Sequence, residues 1–383
     1  MRALVFERKV ARYAAAAVAG RFAPGRGAKV GPLRLATDLE EPDLPAGDWV
    51  RVRPRLAGIC GSDLATIDGR SSRYFEPIVS FPFVPGHEIV GDLDDATRVV
   101  LQPTLTCAAR GIAPPCDGCA QGATNRCQQT TFGHVAPGLQ TGFCEDTGGG
   151  WGVSLVAHET QLHRVPDDLS DEAAVLVEPT ACAVHAVSVV PDNVGVTAVI
   201  GAGTLGLLTL AALQDAGHEG MVVATAKHPE QRRWAEELGA HRVVEPAALE
   251  RAVRSTTRSL QFGRQLTGGA AVVVDCVGSA DSLAQSLRVV APGGTIVMVG
   301  MPGVTTVDLT SLWHREVTLT GAYAYTADDF ATAFALVRTA GLERLLTATY
   351  PLDRFTEAIE HAANAGARGA VKIAFDLRNE RNR

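Results

Sequence analysis

No apolar run in this chain approaches the ~20 residues that a membrane-spanning helix needs, because glycine or a charged residue interrupts each one. A helical span is therefore not expected. No basic cluster stands out, and the formal net charge is -7. The electrostatic footprint that phosphate backbones select is missing, so nucleic acid is not expected as a partner. Internal repeats and low-complexity tracts are absent, which excludes solenoid architectures. One stretch is similar to a leader: Arg8, Lys9 and Arg12 precede the run Ala14–Ala19. That run is short, Arg21 interrupts it, and Arg2–Phe6 ahead of it has the pattern of a strand, so a cytoplasmic protein is expected. In a reducing compartment the eight cysteines are not a disulfide set. Their spacing must then reflect metal binding or packing.

A chain of 383 residues predicts two domains at roughly 100–200 residues each. The first half is rich in short strand-like runs, such as Trp49–Arg53, Ile89–Gly91 and Arg98–Gln102, separated by Gly, Pro and Asp. A mostly β domain follows from that pattern. Beyond Thr180 strands alternate with helices: strands at Val196–Ile200, Met221–Ala224, Ala271–Cys276 and Thr295–Val299, helices at Thr204–Ala216, Pro229–Leu238 and Ser282–Val290. Such alternation predicts an α/β domain with a parallel sheet covered on both faces. The tail has a helical piece, Asp328–Thr339, and a final strand-like run, Ala370–Phe375. It has no core of its own and is expected to pack back on the first domain. The expected division is 1–180, 181–320 and 321–383.

The strand Val196–Ile200 runs directly into Gly201-Ala-Gly203-Thr204-Leu205-Gly206, and a helix follows. Strand, glycine turn and helix in that order form a dinucleotide site. Gly201 permits the tight turn, Gly203 lets the backbone approach a pyrophosphate, and Gly206 lets the helix pack against the strand. The helix N-terminus offers N–H groups and a partial positive charge to the phosphates. An acid at the end of the second strand would bind the ribose hydroxyls of NAD. Here Thr225 and Ala226 occupy that place, followed by Lys227 and His228, with Arg232 and Arg233 one turn on. A small residue beside cations accepts a 2′-phosphate, so NADP is expected over NAD. The alternative is that these cations form a solvated helix face.

Cys107, Cys116, Cys119 and Cys127 lie in one Pro/Gly-rich loop, the last three as C-x2-C-x7-C. Thiolates close together on a loop with little core suit a closed tetrahedral zinc; the alternative is reduced surface cysteines that happen to cluster. A second set is spread over three loops: Cys60 in Gly58-Ile-Cys60-Gly-Ser62-Asp63, His87 and Glu88 in Pro85-Gly-His87-Glu88, and Glu178 in Val177-Glu178-Pro179. One thiolate, one imidazole and one carboxylate leave an open position on zinc, the arrangement of a catalytic site. Cys144, Cys182 and Cys276, and His134, His158, His163 and His185, have no partner spacing and are read as structural.

With these motifs in this order, the chain resembles the medium-chain dehydrogenase/reductase superfamily, specifically its zinc-dependent alcohol, polyol, sugar and threonine dehydrogenases. The later segment Asp275-Cys-Val-Gly278 adds to the resemblance, which covers nearly the whole chain. It implies a GroES-like β-barrel catalytic domain completed by the C-terminal tail, a Rossmann domain inserted between them, and an active site in the cleft. It implies that Cys60, His87 and Glu178 hold the catalytic zinc, that Glu88 approaches the metal during ligand exchange, and that the four-cysteine lobe holds a structural zinc. Gly278, Gly300, Met301 and Tyr323 match segments that line the nicotinamide half of the site. Glutamate rather than cysteine as third ligand is the habit of the polyol, sugar and threonine dehydrogenases. A homodimer or homotetramer is the family's usual assembly.

The sequence departs from the family in two places. The usual lobe spacing is C-x2-C-x2-C-x7-C, whereas eight residues, Ala-Ala-Arg-Gly-Ile-Ala-Pro-Pro, separate Cys107 from Cys116. Many relatives carry histidine where this chain has Ala65, as the outer end of a proton relay. Ser62 remains to accept the alcohol proton, while zinc lowers the pKa of the alcohol and hydride passes to the nicotinamide. The competing functions are a zinc-independent enone or quinone reductase and a cofactor-binding protein without catalysis. Both conflict with the intact set Cys60, Ser62, His87 and Glu178, and zinc content separates them from a dehydrogenase holding about two zincs per chain.

Overall fold

A computed structural model describes residues 1–191, 195–263 and 265–380. The chain forms two compact units. One takes Met1–Glu178, Thr326–Phe330 and the chain from Val337 onward; the other takes Pro179–Tyr325 and Ala331–Leu336.

The first unit is organised around the ten-residue strand Trp49–Gly58. Val52, Pro54 and Leu56 are buried on one face while Arg51, Arg53 and Arg55 between them are half-buried, the period of a half-covered strand. It pairs antiparallel with Ile89–Asp92 on one side and with the tail strand Lys372–Asp376 on the other, Ala374 opposite Gly58. Its first half pairs with Leu155–His158. Arg98–Leu101, Leu162–Arg164 and Leu346–Tyr350 extend the sheet at its two ends. Three clusters among the described residues fill the interior, one around Leu4, Phe6, Ile67, Trp151 and Phe375, one around Val52, Ile89, Leu101 and Leu155, and one around Trp49, Leu105, Val135 and Val156.

The leader-like alanine run is a folded insertion. Helix Val10–Phe22 and the turn Gly27–Val30 stand between two short strands, Ala3–Phe6 and Leu33–Ala36, which pair antiparallel. Ala16 and Gly20 are the buried positions of the helix, four residues apart on one face. They meet the segment that follows helix Gly61–Ile67: a Cβ on Gly20 would stand 2.7 Å from the Asp68 Cβ. Asp68 is fully buried and accepts the N–H groups of Gly25 and Gly27 at 2.9 and 3.0 Å. The insertion is thereby fastened to the helix that begins at Cys60.

The second unit is a six-stranded parallel sheet in the order Arg242–Val244, Met221–Thr225, Val196–Ile200, Ala270–Asp275, Val290–Met298, Thr318–Gly321. Val, Ile and Ala dominate the four inner strands, as burial on both faces requires, while the edge strands Arg242–Val244 and Thr318–Gly321 are partly exposed. The strand order reverses beside Val196–Ile200, so its carboxyl end lies at a topological switch point, where open α/β sheets bind ligands. The expected helices are present as Thr204–Asp215, Pro229–Glu237 and Ala280–Val289.

Candidate active site and nucleotide site

Cys60 ends the coil after strand Trp49–Gly58 and caps helix Gly61–Ile67. His87 and Glu88 immediately precede strand Ile89–Asp92. Because those two strands are partners, the three side chains meet: the candidate ligand atoms of Cys60, His87 and Glu88 all lie within 4.8 Å of one another. Gly86 makes the approach possible. Its φ is +94°, and a Cβ there would meet the Trp151 ring at 2.4 Å.

Asp63, which the sequence reading passed over, organises this cluster. One carboxylate oxygen accepts the Cys60 N–H at 2.9 Å, and the other stands 3.5 Å from His87 Nδ1. Burial opposes a charge on His87, but Asp63 and Cys60 outweigh it and hold the pKa well above its ordinary value. Cys60 and His87 would hold a zinc ion here, and a ligating histidine that turns its other nitrogen to a carboxylate, as His87 Nδ1 turns to Asp63, is the usual outer arrangement.

The sequence reading also passed over Lys372. It lies on the tail strand, 2% exposed, and its Nζ pairs with Glu88 and donates to the Ile59 carbonyl at 3.1 Å. Burial lowers its pKa, but Glu88, Cys60 and Glu178 together raise it above the ordinary lysine value. Glu178, in the first turn of Val177–Ser188 and 6% exposed, is thus within electrostatic reach of the group. A lysine inside the apolar run Ala370–Phe375 was the available sequence signal, since lysine is almost never fully buried without a partner. Among the described residues Ser62 Oγ is buried without a hydrogen-bond partner.

The four cysteines converge. The sulfurs of Cys107, Cys116, Cys119 and Cys127 all lie within 4.8 Å of one another, and Cys107 Sγ is 3.7 Å from Cys127 Sγ. The longer spacing before Cys116 does not displace Cys107. The chain from Thr106 to Ile112 winds on itself, with the Ile112 N–H bonded to the Cys107 carbonyl at 2.9 Å. Cys116 is drawn down to about 6 although burial opposes it, because the N–H groups of Gln128 and Cys119 and the Cys107 and Cys119 thiols favour its thiolate. This donor set suits zinc. Cys144 is fully buried and bonds the Ala136 carbonyl at 3.5 Å, and burial pushes Cys276 up to about 12, the behaviour of packing residues.

In the second unit the glycines divide their roles. Gly201 has φ +94°; a Cβ on Gly206 would stand 1.7 Å from the Gly201 carbonyl, whereas a Cβ on Gly203 would meet nothing within 4 Å. Gly206 serves packing, and Gly203 faces an open cradle at the N-cap of Thr204–Asp215, where Leu205 completes the first turn. A pyrophosphate fits that cradle. Thr225 Oγ1 accepts the Gly201 N–H at 2.9 Å, tying the end of the second strand to the turn. Ala226 beside it is 1% exposed, and Lys227 is exposed. Arg232 is engaged with Glu245 at 2.6 Å, and Arg233 with Glu230 and Glu237, so Lys227 and His228 are the cations best placed for a phosphate. Gly278 and Gly300 abut: a Cβ on Gly278 would meet the Gly300 carbonyl at 2.4 Å, and the Met301 carbonyl is 2.8 Å from the same point. Asp275 holds this pair by accepting the Val277 and Gly278 N–H groups. Tyr323 is 47% exposed just beyond the edge strand.

Two family models match the chain: the alcohol dehydrogenase GroES-like domain over residues 46–167 and the zinc-binding dehydrogenase domain over residues 204–339. A probable diacetyl reductase, (R)-acetoin forming, of Saccharomyces cerevisiae is 29% identical over 334 residues, 78% of this chain and 76% of that protein. Sorbitol dehydrogenase of Arabidopsis thaliana is 27% identical over 346 residues, 86% of this chain and 88% of that protein. The crystal structure of a zinc-binding dehydrogenase from Sinorhizobium meliloti bound to NADP superposes with a TM-score of 0.70 at 26% identity, covering 90% of this chain and 95% of that one. The chain belongs to the zinc-dependent medium-chain dehydrogenase/reductase superfamily. As a member of this superfamily it is an alcohol oxidoreductase of the zinc type, with a GroES-like unit and a Rossmann-type parallel-sheet unit. No helix among the described residues is long and apolar enough to cross a membrane.

Proposed function

We propose that this dehydrogenase interconverts a secondary alcohol of a polyol, sugar or vicinal diol with its ketone, using NADP and a zinc held by Cys60, His87 and Glu178. The observation that carries the reading is the Cys60–His87–Glu88 cluster, half-buried at Cys60 and buried at His87 and Glu88, with Glu178 in electrostatic reach. Its glutamate as third ligand and the printed names of its sorbitol dehydrogenase and diacetyl reductase relatives favour a polyhydroxy substrate over a simple alcohol.

When bound, zinc supplies Lewis acidity that lowers the pKa of the substrate hydroxyl. The residues of the chain do the rest. Cys60 and Glu178 bring negative charge that offsets the dication. Asp63 fixes Cys60 through its backbone and orients His87. Ser62 Oγ, buried and unpartnered among the described residues, accepts the hydroxyl proton; Ala65, 7% exposed, cannot ionise and takes no part in passing it on. Glu88, held by Lys372, supplies a carboxylate for ligand exchange. Gly203 and the first turn of Thr204–Asp215 would cradle the pyrophosphate, Lys227 and His228 would receive the 2′-phosphate, and Gly278, Gly300, Met301 and Tyr323 would line the nicotinamide half.

Four cysteines hold a second, structural zinc. A cytoplasmic homodimer or homotetramer is the proposed form, and the edge strand Thr318–Gly321, whose Leu319 is 39% exposed, offers a surface for such an assembly. Metal analysis and initial rates on a panel of polyols, aldoses, vicinal diols and simple alcohols test the reading. Two zincs per chain and turnover of a diol or polyol with NADP support it. Wild-type turnover after Cys60→Ala or His87→Ala would overturn the zinc chemistry, and turnover of enones alone would point to the reductase alternative.

A further inference from the structure

The eight residues inserted between Cys107 and Cys116 contain Arg110, and this side chain is 0% exposed. Buried arginine is ordinarily paired with a carboxylate. Arg110 instead bonds backbone carbonyls throughout. Its Nε donates to Leu105 at 3.2 Å, its Nη1 to Phe132 and Val135 at 3.0 Å each and to Ala136 at 3.3 Å, and its Nη2 to Gly138. Among the described residues no carboxylate lies within ion-pair distance of it. The planar fork of five N–H donors thus gathers Phe132–Gly138 onto the turn that begins at Cys107.

The two stretches are shaped for each other. Gly133 has φ +99°, and a Cβ on it would stand 2.3 Å from the Arg110 carbonyl; that carbonyl accepts the His134 N–H at 3.0 Å. The hydrogen bonds leave the formal charge unanswered. Burial lowers the pKa of Arg110, and the groups that act in the opposite direction are Cys144, Cys127, Cys107 and Asp146. Two of these four are members of the cysteine cluster. A zinc held by four thiolates carries a net double negative charge in a partly buried loop, and such a charge is costly without a cation nearby.

We propose that Arg110 is the internal counter-ion and scaffold of the four-cysteine lobe: the insertion that lengthens the spacing after Cys107 also supplies the cation that stabilises the thiolate–zinc group and orders Phe132–Gly138 around it. The proposal rests on the reading that the four cysteines hold zinc. Arg110 acts through the cysteines as a positioning residue and has no part in hydride transfer.

The test is zinc release from the holoenzyme to a chromogenic chelator, with metal content by elemental analysis, for the wild type and Arg110→Lys, Arg110→Gln and Arg110→Met. Cys119→Ser identifies the lobe zinc, and the second zinc and NADPH fluorescence serve as internal controls for folding. Arg110→Gln and Arg110→Met are expected to release the lobe zinc at least tenfold faster, with Arg110→Lys between them and the wild type. Wild-type release from Arg110→Met overturns the proposal. Equal release from the Lys and Gln variants overturns its counter-ion half. If Cys119→Ser lowers neither zinc content nor release, the zinc reading of the lobe itself fails, an outcome distinct from a silent Arg110.

Discussion

Lys372 and Glu88 form an ion pair with side chains 2% and 1% exposed, and it joins the tail strand to the loop that carries His87. The pair is enclosed tightly enough that a Cβ on Gly58 would overlap the Glu88 carboxylate. Removing one partner of a buried pair strands the other charge. Lys372→Met is therefore expected to cost about 3–5 kcal/mol, and Lys372→Met combined with Glu88→Gln to cost distinctly less. Denaturant unfolding of the two variants checks this, and equal losses would show that the lysine contributes packing alone. The folded lysine pKa is raised above 10.5, so its contribution is fully present below that value and is lost as pH rises through the folded one. The stability gap between wild type and Lys372→Met should stay flat from neutral pH to about 10 and narrow only above it.

Ser62 Oγ is buried without a partner one residue from the helix start that Cys60 caps. A hydroxyl in that condition is expected to serve the reacting proton. Ser62→Ala should lower kcat by roughly 10²–10⁴, the range of a lost general acid or base, with zinc content unchanged. Rates within twofold of wild type would remove Ser62 from the relay; loss of zinc would instead make it a structural support for Cys60.

Much of both sites was legible because their residues announce themselves locally. The turn from Gly201 to Gly206 is a strand–turn–helix pattern within one short segment, and the structure distinguishes the packing glycine, Gly206, from the open one, Gly203. Cys60, His87 and Glu178 could be grouped because each stands in its own recognisable segment, whereas the close approach of Glu88 to Cys60 and His87 comes from the fold. What escaped was set by pairing between distant segments. Nothing near Lys372 says that its strand will lie beside Gly58. The run Ala14–Ala19, too short and interrupted for a leader, gives no sign that Asp68, from another loop, will hold Gly25 and Gly27 just beyond its helix. Arg110 was in view only as part of an inconvenient insertion, since its carbonyl partners come from Leu105 and from Phe132–Gly138.

The cofactor preference turns on Ala226, which stands 1% exposed where an acid would bind ribose hydroxyls. Ala226→Asp places a negative charge against the 2′-phosphate and offers acceptors to a 2′-hydroxyl. The ratio of kcat/KM for NADP over NAD is expected to fall by at least a hundredfold, about 2.7 kcal/mol. Lys227→Ala should raise KM for NADP about tenfold and leave NAD untouched. A wild type that prefers NAD, or a Lys227→Ala variant that weakens both cofactors equally, would assign these cations to a solvated helix face.

Asp68 gives the inserted helix its consequence for the active site. Its two carboxylate oxygens accept the Gly25 and Gly27 N–H groups, it is 0% exposed, and it directly follows the helix whose first residues are Gly61 and Ser62. Asp68→Ala strands two buried N–H groups at about 1–3 kcal/mol each, and Gly27→Ala drives a Cβ to within 2.2 Å of the Ile67 carbonyl. Both variants should lower Tm. If the insertion also steadies the helix under Cys60, they should release the catalytic zinc faster while the lobe zinc, held by a separate loop, stays in place. A lowered Tm with unchanged release of both zincs would confine Asp68 to anchoring the insertion.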